Sequence, residues 1–128
     1  MRVLLIEDSP IIRDGLVELI NGDPRCRVML STDSEFEAVR ELAARPYDIA
    51  VVDLQLKHGT GLGVLRFLQD RGELLKIVLT NFNSPQMRER CLSLGADYYF
   101  DKSREFDAVM RAIDGWISEH GAGSATTH

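Results

Sequence analysis

Four consecutive apolar residues, Ile49-Ala50-Val51-Val52, ending on Asp53, set the tightest limit on what this chain can become. A strand with one wet face alternates apolar and polar side chains. Here both alternating sets are apolar, so both faces must be covered, as in a strand inside a parallel sheet. Asp53 then emerges at the strand's carboxyl end, the edge where open α/β sheets carry their chemistry. Taken alone, Asp53 fits a turn closing a strand as well as it fits a functional role.

The same unit recurs along the chain. Val3 to Ile6 is an apolar run followed by Glu7-Asp8-Ser9-Pro10, a helix cap with proline in the first turn, and Ile12, Leu16, Leu19 and Ile20 then recur at helical spacing. Val28 to Ser31 reads as a weaker strand. Asp33 or Ser34 caps a helix expected to carry Phe36, Val39, Leu42 and Ala43 on one face, and Arg45-Pro46 stops it. After Asp53, a loop tightened by Gly59 and Gly61 leads into a helix bearing Leu62, Leu65 and Leu68. Ile77 to Thr80 is a further strand, Ser84-Pro85 caps a helix through Met87, Cys91 and Leu94, and Ala96 to Lys102 is the fifth strand. Phe106, Val109, Met110, Ile113 and Ile117 give a last helix its apolar stripe. Five strands alternating with five helices imply a doubly wound α/β fold, a parallel sheet covered on both faces through right-handed crossovers.

At 128 residues, 45% hydrophobic and 27% charged, the chain suits one globular domain with a sizeable core. A net charge of −5 argues against a nucleic-acid surface, which needs clustered Lys and Arg, so no direct nucleic-acid contact is expected. Cys26 and Cys91 lack metal-ligand spacing and read as reduced, partly buried thiols. Glu7 and Asp8 come too early for a signal peptide and no apolar run approaches membrane-spanning length, so the expectation is a cytoplasmic protein without membrane contact.

In a parallel sheet all carboxyl ends share one edge, which gathers Glu7, Asp8, Asp53, Thr80 and Lys102. Crowded carboxylates need a cation, and hard oxygen donors without Cys or His suit Mg²⁺ or Mn²⁺; Lys102 adds a further positive charge. A metal held by few carboxylates retains waters and accepts phosphate oxygens, so the set describes phosphoryl chemistry with Asp53 as nucleophile. Each residue also has an ordinary explanation. Glu7 and Asp8 suit the positive end of the first helix, Thr80 can satisfy a backbone group, and Lys102 alone is a solvated lysine.

Taken together, Leu-Leu-Ile-Glu7-Asp8-Ser, Val-Val-Asp53-Leu-Gln55-Leu, Gly59-Thr-Gly61, Leu-Thr80 and Gly-Ala-Asp-Tyr-Tyr99-Phe-Asp-Lys102 resemble the receiver domain of bacterial two-component response regulators, of the single-domain, chemotaxis-regulator-like kind. The resemblance covers residues 1–119 and leaves 120–128 as an expected disordered tail. It implies a flavodoxin-like five-stranded sheet in the order 2-1-3-4-5. By the same resemblance, Asp53 accepts a phosphoryl group from a sensor histidine kinase or a histidine phosphotransfer protein. Asp8, Asp53 and the Gln55 main-chain carbonyl bind Mg²⁺, Glu7 orients a metal-bound water, and Lys102 and Thr80 hold the phosphoryl group. Thr80 and Tyr99 form the switch pair, and a target protein or a second copy docks on the face made by the fourth helix, fifth strand and fifth helix.

The chain also departs from the family pattern. Ser103 replaces a frequent proline, which leaves the isomer of the Lys102-Ser103 bond open, and Lys57 replaces another, with an expected loosening of the loop beside Asp53. Asn81 stands where a small residue is usual, and Gln55, Asn81 and Phe82 are expected to modulate access and phosphoryl lifetime. The expected output is that of a stand-alone phosphoacceptor that is no enzyme beyond its own phosphorylation and dephosphorylation. The alternatives are the N-terminal receiver segment of a longer transcriptional regulator, and an aspartate-nucleophile Mg²⁺-dependent phosphatase, whose proton-donating acid is missing because Gln55 holds its place. An FMN-binding fold is disfavoured because Glu7-Asp8 would repel the cofactor's phosphate.

Overall fold

The computed structural model describes residues 1–82 and 84–121. In chain order it contains β1 (Arg2–Ile6), α1 (Pro10–Asn21), β2 (Arg27–Thr32), α2 (Glu35–Ala44), β3 (Ile49–Val52), α3 (Gly61–Leu68), β4 (Leu75–Thr80), α4 (Pro85–Ser93), β5 (Tyr98–Asp101) and α5 (Ala108–Trp116), closing with a π-helical turn over Ile117–Gly121. All strand pairs are parallel and the sheet runs β2-β1-β3-β4-β5. This is the flavodoxin-like order expected from the resemblance.

The two-residue period of the central strands divides the core between the two faces. Val3, Leu5, Ile49, Val51, Ile77 and Leu79 pack with Leu16 and Ile20 of α1 and Val109 and Ile113 of α5. Their alternates Leu4, Ile6, Ala50 and Val52 pack with Ala38 and Leu42 of α2 and Val64 and Leu68 of α3, while Val78 joins Leu65, Cys91 and Tyr99 under α3 and α4. Four helices start on a side-chain cap: Ser9 accepts the Ile12 N–H, Ser34 that of Glu37, Thr60 that of Gly63 and Ser84 that of Met87. Ser34, not Asp33, is therefore the cap of α2.

Three sequence expectations change. Phe36 is 74% exposed and Ala43 is exposed, while α2 buries Ala38 and Leu42. Position 36 lies about 200° around the helix from 38, so the stripe of 36 and 43 looks outward once the small Ala38 sits against the sheet. The fifth strand contracts to four residues, Tyr98–Asp101. The last helix ends in a π-helical turn that takes in His120 and Gly121, the start of the expected tail; residues 122–128 lie outside the described residues. Among the described residues no helix is long and apolar enough to cross a membrane.

Candidate functional site

The site is built by continuing the sheet's hydrogen-bond ladder one residue past each strand end. Ile6 lies opposite Val52 and Val52 opposite Val78, so Glu7 and Asp53 emerge side by side. The Glu7 N–H still donates to the Thr32 carbonyl at 2.9 Å, the Asp53 N–H to Ile6 at 2.8 Å and the Lys102 N–H to Thr80 at 3.0 Å. Three candidate side chains thus leave a backbone that remains tied to the sheet.

Lys102 Nζ donates to Asp53 Oδ2 and to Glu7 Oε2, each at 2.8 Å. All three side chains are nearly sealed from solvent, at 8% exposure for Lys102, 4% for Asp53 and 1% for Glu7. Burial pushes the Glu7 carboxyl above its ordinary value, against the lowering pull of its bonds from Lys102 and the Ser9 N–H. Burial by itself would depress the Lys102 ammonium, but hydrogen bonds to Asp53 and Glu7 outweigh it and the net direction is upward. The result is a charged triad in which one cation serves two carboxylates.

The remaining predicted residues are placed as follows. Asp8 is exposed beside this triad in the chain. Gln55 is exposed, its N–H donating to Asp53 Oδ1 at 3.3 Å. Thr80 is buried, and its Oγ1 accepts the Phe82 N–H at 3.1 Å, so its hydroxyl serves a backbone group in this state. Tyr99 is buried while Tyr98 and Phe100 stack on the opposite side of β5 with centroids 5.3 Å apart, as strand alternation requires. The Tyr99 hydroxyl donates to the Phe82 carbonyl, and Arg88 Nη1 of α4 donates to the Tyr99 carbonyl at 3.2 Å. Thr80 and Tyr99 therefore hold opposite ends of one residue, Phe82, and both line a cavity of about 190 Å³ with Arg88 and Arg104. The Thr80 half is the local backbone bond that the sequence allowed for, whereas the sequence carries no signal for the Tyr99 half, which is made to the Phe82 main chain from 17 residues away. Asn81 and Phe82 themselves are exposed at the end of β4.

Two loops beside the site are held by bonds to side chains, one at the Lys102-Ser103 bond whose isomer the sequence left open. Every described peptide bond is trans, Lys102-Ser103 included. The carboxylate of Asp101 takes the place of proline's restraint: its Oδ1 accepts the Ser103 N–H at 2.9 Å and the Ser103 hydroxyl at 2.7 Å, a turn that redirects the chain directly after Lys102. The loop after Asp53, expected to be loosened by Lys57, is instead strapped to the start of α2. His58 N–H donates to the Asp33 carbonyl at 3.2 Å, Glu35 N–H to the His58 carbonyl at 2.8 Å, and Glu35 Oε1 accepts the Thr60 N–H at 2.8 Å. Gly61 is required on steric grounds, since a Cβ there would overlap the Asp53 carbonyl oxygen.

Hard oxygen donors are available at Asp8, Asp53 and the Gln55 carbonyl. Among the described residues no three His, Cys, Asp or Glu side chains converge into an all-protein metal cage. That donor chemistry fits a cation that keeps several waters and is shared with a phosphate, the habit of Mg²⁺.

Residues 3–114 match the family described as the response regulator receiver domain. Among curated proteins the chain is 31% identical over 114 residues to the DNA-binding transcriptional activator DevR/DosR of Mycobacterium tuberculosis, covering 88% of this chain and 52% of that protein. It is 29% identical to a nitrate/nitrite response regulator homolog of Haemophilus influenzae, over 88% and 55% respectively. The chain thus spans about half the length of these relatives. A LuxR-family two-component response regulator from Aurantimonas superposes with a TM-score of 0.81 at 27% identity, over 92% of this chain and 85% of that one. The receiver domain is a signalling domain; its members bind Mg²⁺ and interact with histidine kinases or phosphotransfer proteins, and some relatives that contain it, such as the protein-glutamate methylesterase of Azospirillum brasilense, are enzymes of greater length. A chain whose strand order, strand-end acids and matched sequence agree in this way belongs to the response regulator receiver family.

Proposed function

We propose that this chain is a phosphoacceptor whose Asp53 takes a phosphoryl group from a phosphohistidine on a sensor kinase or phosphotransfer protein. The observation that carries the reading is the Lys102 ammonium bridging Asp53 and Glu7 at 2.8 Å each. A cation already poised on the carboxylate is placed to follow negative charge onto a transferred group. An Asp53 carboxylate oxygen forms the bond to phosphorus as the nitrogen–phosphorus bond of the donor breaks, and the imidazole nitrogen leaves with the electron pair. Lys102 passes from the carboxylate to a phosphoryl oxygen, leaving Glu7 to hold it. Asp8, Asp53 and the Gln55 carbonyl are the groups that would hold Mg²⁺, whose contribution when bound is to neutralise charge on the phosphoryl oxygens.

Thr80 turns towards the new phosphoryl oxygens by giving up the Phe82 N–H. Because Tyr99 holds the carbonyl of that same residue, the change reaches β5 and, through Arg88, α4. This supports an output face on α4, β5 and α5 for a target protein or a second copy, with phosphorylation selecting between conformations. A second reading, a receiver segment of a longer transcriptional regulator, is favoured by the roughly doubled length of the Mycobacterium relative, a DNA-binding transcriptional activator. The mass of the native protein on an immunoblot separates the two, 14.4 kDa against about twice that.

Incubation with acetyl phosphate and Mg²⁺ is expected to add one phosphoryl mass, mapped by peptide mass spectrometry to Asp53. Unchanged labelling of Asp53→Asn would sink the assignment.

A further inference from the structure

Glu35 opens α2, yet its side chain serves the loop between β3 and α3. Its N–H is bonded to the His58 carbonyl at 2.8 Å and its Oε1 accepts the Thr60 N–H at 2.8 Å, so backbone and side chain grip the loop at two points. Two glycines leave room for this grip. A Cβ at Gly59 would overlap the Glu35 side chain, and a Cβ at Gly63 would overlap its carboxylate. Gly59 also takes φ +91°, a conformation that side-chain-bearing residues avoid. The grip reaches the site through one step: Thr60, held by Glu35, forms an antiparallel bridge with Gln55, and the Gln55 N–H donates to Asp53 Oδ1.

The geometry points to Glu35 as a positioning residue: by gripping Thr60 across the bridge from Gln55, it fixes the Gln55 carbonyl and so sets the divalent-cation affinity of the Asp8, Asp53 and Gln55 donors. This role rests on the cation reading given under Proposed function. A loop with two glycines has many conformations of similar energy, and a carbonyl ligand binds tightly only if its direction is settled beforehand. Partners that orient metal ligands from behind are commonly worth about tenfold or more in affinity.

The test measures Mn²⁺ binding to the full chain by electron paramagnetic resonance of the free ion, with no phosphodonor present. Glu35→Ala is expected to weaken binding about tenfold, and Glu35→Gln, which keeps an acceptor oxygen, to recover most of it. Gly63→Ala replaces glycine with a better helix former but pushes the carboxylate off Thr60, so it is expected to weaken binding in the wild-type background and to change nothing in the Glu35→Ala background. Unchanged Mn²⁺ affinity in Glu35→Ala and Gly63→Ala, or an equal loss from Gly63→Ala in both backgrounds, overturns the role. If Glu35→Ala does not fold, Gly63→Ala against wild type decides. Wild type that binds no Mn²⁺ overturns the cation reading and this role together, whereas wild-type binding with unaffected variants overturns this role alone.

Discussion

Lys102 is nearly as buried as the two carboxylates it joins, an arrangement costly in desolvation and tolerable only while both partners stay in place. Its position depends on the residues on either side. Asp101 accepts two bonds from Ser103, and the first of these, from the hydroxyl, holds the Asp101 carboxyl below its ordinary value together with the Ser103 N–H. A carboxyl whose folded value is depressed contributes stability that is present above its unfolded value, about 3.9, and is lost as pH falls through the folded value. Ser103→Ala is therefore expected to raise the Asp101 titration midpoint in a carboxyl-carbon NMR titration and to reduce the loss of stability on acidification. A midpoint that stays put would show that Ser103 does not hold this turn.

At the scale of elements, the loop and helix that follow Asp53 are specified by a steric limit and by bonds from another element. The start of α3 passes so close beneath Asp53 that glycine alone fits at position 61. Gly61→Ala is expected to cost about 2 kcal/mol or more in urea unfolding, far beyond the effect of Gly72→Ala, where a Cβ would meet nothing within 4 Å. Equal costs for the two would mean that α3 can shift without penalty. The strap from Glu35 and His58 restrains the loop that carries Lys57: the bonds come from α2 across space, where the local sequence carries no trace of them.

For the whole molecule, the covered sheet makes the site a rigid edge and leaves its response to the loops. A ligand that binds only the folded state raises the unfolding midpoint by mass action. Mg²⁺ is accordingly expected to raise the thermal midpoint of the wild type, and to do so far less in Asp8→Ala; a gain preserved in Asp8→Ala would remove Asp8 from the cation's ligands. The sequence alone determined the alternation of strands and helices, since a doubly apolar run such as Ile49–Val52 is stable only between two helical layers, and it determined which polar residues stand at strand ends. It did not determine which face of α2 is buried, because Phe36 and Ala43 are no less apolar than Ala38 and only the close fit of Ala38 and Leu42 against the sheet turns the stripe of 36 and 43 outward. Nor did it contain the bond from Thr80 through Phe82 to Tyr99, or the grip of Glu35 on Thr60. The bonds of Tyr99 to Phe82 and of Glu35 to Thr60 join a side chain to a distant main chain, and a backbone N–H or carbonyl is the same at every position, so only the tertiary fold decides which of them a side chain meets.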